Sequence, residues 1–386
     1  MYISDRFESG NIELVEAVSD HHVRLRIRKD SNSDFFQWFY FRATGVCDTL
    51  CHFEILNAGE SSYTKGWDGY RACASYDRET WFRVPTSYTN GILSIDHTPE
   101  VDTVWYAYFA PYSYDRHLDL ISRSISTGLR YGNSARLVGG VKHEVLGTTV
   151  DLAPMDLLVF GEPGERKRTV WFIGRQHPGE TQASWWMEGM IGRLLDPGDA
   201  VSRSILEDAV VYVVPLMNPD GARLGNLRTN AAGANLNREW LSPSPERSPE
   251  VMCVRAKMMQ TGVDVCMDVH GDEALPYVFI AGAEGIPSLS ERQVHDRGIF
   301  DEALMKANSD FQTKYGYPQT PPGKANLTIC TSWVAETFGA LSMTLEMPFK
   351  DNANMPDASF GWSPERCRHL GAACLDALQA VLVDGR

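Results

Sequence analysis

The chain has 386 residues, of which 43% are hydrophobic and 22% charged, with a formal net charge of -14 at pH 7. That length holds one large domain or two. So acidic a mean field repels nucleic acid and anionic membrane surfaces, which excludes general binding to either.

No apolar run approaches the roughly 20 residues of a membrane-spanning helix. The N-terminal MYISDRFESGNIEL has no basic region followed by an apolar core, so it is not a secretory signal. The eight cysteines are scattered, several in apolar stretches such as VDVCMDV and LGAACLDAL. Reduced, buried thiols and a cytoplasmic location are expected.

Residues 1–112 read as an antiparallel β-sandwich domain. VRLRIRK (23–29) alternates apolar and basic residues, the pattern of a half-buried strand. FFQWFYFRA (35–43), LCHFEILNA (50–58) and VDTVWYAYFA (101–110) are aromatic and β-branched. Asn90-Gly91 between TSYT and ILSI predicts a type I′ hairpin. Cys47, Cys51 and His52 read as packing, and His21-His22 as a solvated turn.

Residues 113–386 alternate strands and helices, the signature of an α/β domain with helices on both faces of a mixed sheet. TVWFIG (169–174) leads through a loop to a helix over 181–195, which stops at Pro197-Gly198. AVVYVVPLM (209–217) is a strand buried on both faces. Ser248-Pro249-Glu250 opens a helix that Gly262 closes before the strand VDVCMDV (263–269). LSMTLEM (341–347) is a further strand, and Ser363-Pro364-Glu365 starts the last helix.

The polar residues of interest fall where these strands end. His177 and Glu180 follow TVWFIG, Asn218-Pro219-Asp220-Gly221 follows AVVYVVPLM, His270 ends VDVCMDV, and Glu346 lies near the end of LSMTLEM. Ligands of open α/β sheets bind at the carboxyl ends of strands, so these segments are expected to converge. A His and a carboxylate three apart, joined by a distant His, suit a catalytic zinc whose fourth position is left to water. HxxE alone is a weak signal, and a satisfied loop histidine is its ordinary reading.

The stretch GRQHPGETQASWWMEG, then NPDGARLGNLRTNAAGANLNREW, then DVHGD, then TLEMPF closely resembles, in order, the M14 zinc metallocarboxypeptidases. Within that family it is similar to the cytosolic carboxypeptidases, relatives of the tubulin deglutamylases. FQWFYF (36–41) resembles a strand of the β domain that precedes the catalytic domain there. The resemblance implies one zinc ion per chain, held by His177, Glu180 and His270. It implies Glu346 as the carboxylate that takes a proton from water and passes it to the leaving amine. Arg228 would stabilise the oxyanion, and Asn237 with Arg238 would bind the terminal carboxylate of a peptide or protein substrate.

Two departures stand out. Asn235 occupies the place of a family carboxylate that accepts the N–H of a zinc-bound histidine. The family's mobile tyrosine, expected about 22 residues before the glutamate by its spacing in the relatives, falls near Lys324; Tyr315 and Tyr317 lie close by, with neither assigned. Asp268 has two open readings, as a partner of His270 or of a nearby arginine. Thr331 stands at the position that helps choose the cleaved side chain. An acidic C-terminal residue is implied, with Arg175, Arg223 or Lys324 supplying charge. The alternatives are an N-acyl-amino-acid deacylase of the aspartoacylase type on the same zinc set, and a binding protein with a structural metal. Oligomeric state is not legible.

Overall fold

The computed structural model, which describes residues 1–132 and 140–384, turns the aromatic N-terminal segments into two five-stranded sheets. One has the antiparallel order Tyr2–Ser4, Tyr40–Thr44, Thr103–Ala107, Cys73–Ser75, Phe82–Arg83. The other runs Glu13–Ser19, His22–Arg26, Cys51–Ile55, Ile92–His97, Thr86–Thr89. Here His22–Arg26 and Cys51–Ile55 are parallel, a departure from the antiparallel expectation made possible by the long connection between them. Alternation points Val23, Leu25, Phe53 and Ile55 inward. Phe53 meets Phe41 and Tyr106 of the first sheet at ring-centroid distances of 5.5 and 4.7 Å, so the sheets pack face to face. Asn90 and Gly91, at φ 53° and 83°, form the expected two-residue turn. Of the stretch 35–43 only its end is strand; Phe36, Trp38 and Phe39 are buried outside any ladder.

A helix, Tyr114–Gly132, follows. The second sheet system has seven strands in the order Val141–Thr148, Pro154–Phe160, Ala209–Val214, Arg168–Gly174, Val265–Asp272, Leu341–Pro348, Phe279–Ala281. Its four central strands are parallel and its margins antiparallel. Continuous apolar runs make sense here because both faces are buried. In Arg168–Gly174, Val170 and Phe172 join one core, while Trp171 and Ile173 join the other. Helices Gln182–Leu194, Glu291–Ala307 and Pro364–Asp384 cover the first face. Pro249–Thr261 and Cys330–Phe338 cover the second. Ser248 does precede Pro249, but its hydroxyl donates to Glu239 instead of capping the helix.

The first core runs unbroken from the sandwich into the mixed sheet. At the junction Phe349 stacks on Tyr108 with centroids 4.5 Å apart. The Arg83 guanidinium donates to the carbonyls of Arg71, Phe349, Lys350, Phe360 and Trp362. Among the described residues no helix is long and apolar enough to cross a membrane.

Candidate metal centre and active site

Strand Arg168–Gly174 pairs with Ala209–Val214 on one side and Val265–Asp272 on the other. A crevice therefore opens beyond its carboxyl end, the usual ligand position in such sheets. Arg175 turns the chain out of the strand at φ 58°, a left-handed conformation costly for a residue with a Cβ. Its buried guanidinium holds that turn by donating to Tyr112 O (2.8 Å) and Pro178 O (3.0 Å). Arg175 is therefore a loop brace and not a substrate cation, contrary to the expectation from sequence. Two residues past His177, Gly179 donates its N–H to Leu227 O at 2.8 Å. A Cβ at Gly179 would meet that carbonyl oxygen at 2.9 Å, so the close approach of the two loops needs glycine.

The turn delivers His177 and Glu180 against His270, all three buried. His177 Nδ1 lies 2.6 Å from Glu180 Oε1, His270 Nδ1 lies 2.8 Å from Glu180 Oε2, and the two Nδ1 atoms are 3.1 Å apart. Two nitrogens bound tetrahedrally to zinc at about 2.0 Å would be about 3.3 Å apart, so the donor atoms converge as one zinc ion requires. Each imidazole is oriented from behind. His177 Nε2 faces Asn235 Oδ1 at 3.0 Å, and His270 Nε2 faces Asp268 Oδ2 at 2.8 Å. Both arrangements leave Nδ1 for the metal. Of the two readings open for Asp268, the pairing with His270 is the one adopted, and Gln176 Nε2 also donates to it at 2.6 Å.

Burial, reinforced by Arg228, pulls His177 down to about 4, so it presents a neutral imidazole. At His270 burial is outweighed by Asp268 and Glu180, which hold it well above the usual range. Burial also raises Glu346 well above an ordinary carboxylate, with His270 opposing and Glu180 adding. Glu346 is the register partner of His270 on the adjacent strand. Its Oε2 has no partner among the described residues, while Oε1 is 3.1 Å from the Tyr317 hydroxyl. That hydroxyl donates to Asp272 Oδ2 at 2.6 Å. Tyr317 was inaccessible to spacing arguments, because it precedes the glutamate by more than the family interval.

A cleft of about 1020 Å³ joins these groups to Arg228, Asn237, Arg238, Lys324 and Thr331. Asn237 Oδ1 accepts the Cys330 N–H at 2.9 Å, and its Nδ2 is 3.4 Å from His270 Nε2. Arg238 donates to its neighbour's carbonyl, Asn237 O, at 2.6 Å. Burial and the proximity of Arg228 lower the Arg238 pKa. Among the described residues neither arginine has a carboxylate partner. Thr331 shares a 2.6 Å hydrogen bond with Thr344 on the wall.

Two further expectations are corrected. Asn218–Gly221 does not reach the cleft: Asn218 Oδ1 caps the short helix Pro219–Leu224 and Asp220 accepts from Thr149 and Asp151. Arg223 lies over the Tyr114 ring and lines a separate cavity. A second cluster, His22, His52 and Glu54, lies on the N-terminal sheet. There Arg24 Nε donates to Glu54 at 3.1 Å and Asp96 meets His52 Nδ1 at 2.7 Å, an ion-pair ladder with its own cation.

Comparison with known proteins agrees with this geometry. Residues 139–361 match the zinc carboxypeptidase family, and residues 3–109 match the cytosolic carboxypeptidase N-terminal domain. A metallo-carboxypeptidase from Burkholderia cenocepacia is 45% identical with a TM-score of 0.93, covering 100% of both chains. One from Pseudomonas aeruginosa, solved with (2-guanidinoethylmercapto)succinic acid, is 44% identical with a TM-score of 0.94, covering 100% of this chain and 99% of that one. Mouse cytosolic carboxypeptidase 6 is 30% identical over 332 residues, 79% of this chain but 59% of the mouse protein. Donor set, fold and relatives coincide: the chain belongs to the zinc carboxypeptidase family and is an M14 zinc metallocarboxypeptidase.

Proposed function

We propose that this enzyme removes single residues from the free C-termini of peptides or proteins, acidic residues foremost, as its resemblance to cytosolic carboxypeptidases implies. The supporting observation is that two arginines without carboxylate partners among the described residues, Arg228 and Arg238, line the same cleft as the His177–Glu180–His270 set and Glu346. Zinc in that set supplies a Lewis acid and makes water available as a nucleophile near neutral pH.

The chain's own residues do the rest. Arg238 and the Asn237 amide receive the substrate's terminal carboxylate, which places the last peptide bond over the metal site. Arg228 is the donor for the oxyanion that develops as water adds to the carbonyl. Glu346, through its unpartnered Oε2, takes the proton from the attacking water and delivers it to the leaving amine. The Tyr317 hydroxyl lies 3.1 Å from the other oxygen of Glu346.

The preference for acidic residues rests on Lys324, which lines the cleft and has no carboxylate partner among the described residues. Arg297 contributes less, since Asp301 takes its Nε at 2.9 Å and Glu284 approaches its Nη1 at 3.4 Å. A second reading, preference for basic residues, is favoured by those same two carboxylates lining the cleft and by the guanidino group of the Pseudomonas enzyme's ligand. The test is a panel of peptides differing only in the C-terminal residue, incubated with zinc-loaded enzyme and read by mass spectrometry. Glu346→Gln and C-terminally amidated peptides serve as blanks. Fastest release of Glu or Asp supports the proposal. Fastest release of Arg or Lys establishes the second reading, and hydrolysis confined to N-acyl amino acids establishes the deacylase.

A further inference from the structure

The groups around Arg228 come from the far end of the chain. The loop after strand His22–Arg26 carries Asp30, whose carboxylate is buried. Its Oδ1 accepts the Leu227 N–H at 2.6 Å. Its Oδ2 accepts the Arg228 N–H at 2.7 Å, the Thr229 N–H at 2.9 Å and the Thr229 hydroxyl at 3.1 Å. One buried carboxylate thus gathers three successive backbone amides, in the manner of an anion nest. The seam continues on both sides. Ser31 N–H donates to Asn226 Oδ1 at 3.1 Å, and Asn32 Nδ2 donates to Ala231 O at 2.8 Å.

Beyond the backbone, the guanidinium of Arg228 lies 5.6 Å from the Phe35 ring centre and 5.4 Å from that of Tyr63. Both are within cation–π range. Tyr63 is itself fixed: the buried Gln37 amide accepts its N–H at 2.8 Å and donates to its carbonyl at 3.1 Å. Every one of these partners lies in the N-terminal β unit, and Tyr63 also lines the cleft. The Arg228 side chain has several rotatable bonds and, among the described residues, no carboxylate partner. Without a fixed main chain and flanking rings it would sample many positions.

We propose that Asp30, Phe35 and Tyr63 are positioning residues for Arg228, so that the N-terminal β unit completes the active site. The carboxylate fixes the main chain at 227–229, and the rings restrict where the guanidinium goes. The inference rests on Arg228 acting as the oxyanion donor. Loosening it lowers kcat with little change in KM, because the interaction matters in the transition state and not in substrate binding.

The experiment is a double-mutant cycle on the peptide that the wild-type enzyme cleaves fastest. Arg228→Ala is expected to lower kcat by about 100-fold or more. Tyr63→Leu, at a half-buried position that tolerates the change, is expected to lower kcat about tenfold in the wild-type background. In the Arg228→Ala background it should lower kcat less than twofold. Tyr63→Phe, which keeps the ring, should restore wild-type kcat. Asp30→Asn is read without substrate, by amide exchange: the 227–229 segment should lose protection while the core strands keep theirs. An equal loss from Tyr63→Leu in both backgrounds, or no loss in the wild type, overturns the proposal. If Arg228→Ala itself keeps full kcat, the assignment of Arg228 fails instead, and that arm alone identifies the failure.

Discussion

The two histidines of the candidate zinc site face unlike groups, and the difference is measurable. Behind His270 stands Asp268, fully buried and charged, at 2.8 Å. Behind His177 stands Asn235, partly exposed and neutral, at 3.0 Å. Substituting Asn235→Asp gives His177 a charged acceptor at the same place, and the second oxygen can still take the Asn237 N–H that Asn235 Oδ1 accepts at 3.1 Å. Changes to such outer partners are worth about 10–100-fold in metal affinity. Partial exposure screens the new charge, so the lower end applies: zinc should bind about tenfold tighter, about 1.4 kcal/mol. Asp268→Asn sits at the other extreme, because the lost charge is buried and also accepts from Gln176. There zinc should bind about 100-fold more weakly. The assay is competitive titration of metal-free protein against a chelator at fixed pH, with thermal unfolding as the check on folding. Equal or weaker zinc binding in a normally folded Asn235→Asp protein would refute the reasoning.

Further outcomes follow from individual contacts. Glu346→Gln should reduce peptide hydrolysis by about 100- to 10,000-fold while zinc content, measured by mass spectrometry of the metal, stays at one per chain. Tyr317→Phe takes the hydroxyl from between two buried carboxylates, Asp272 and Glu346. Urea unfolding should show a loss of about 1–3 kcal/mol, and an unchanged midpoint would contradict the burial argument. Burial between Tyr76, Phe82 and Tyr106 pulls His97 down to about 4, whereas the unfolded chain protonates it near about 6.5. Its contribution is therefore whole above about 6.5 and is lost as pH falls toward 4. Discounted for its partial exposure, the loss between pH 7 and pH 5 should be about 1 kcal/mol. His97→Gln should flatten that part of the stability profile.

Local sequence carried much of this molecule. The strand Arg168–Gly174 was legible because an apolar run between polar loops has few other fates, and His177 and Glu180 lie within six residues of its end. The turn at Asn90-Gly91 was legible for the same reason: its conformation is set by two residues. His270 and Glu346 sit on strands whose order the sequence does not state, yet both strands are parallel and end on one edge, so the motif and the sheet agree.

Approach between distant segments is what the tertiary structure alone decided. Arg175 and Lys324 look alike as candidate cations, but one is spent on carbonyls inside a loop and the other faces the cleft. Tyr317 reaches Glu346 only because the chain between them folds back through the helix Cys330–Phe338, which no residue spacing encodes. Asp268 had two possible partners until packing placed His270 Nε2 beside it. Asp30 meets the Leu227, Arg228 and Thr229 amides across sequence separations of 197 to 199. Period and composition fix which face of a strand is buried, because that follows from neighbours one or two residues away. Which side chain meets which across the fold depends on how whole elements pack, and that information is spread over the entire core.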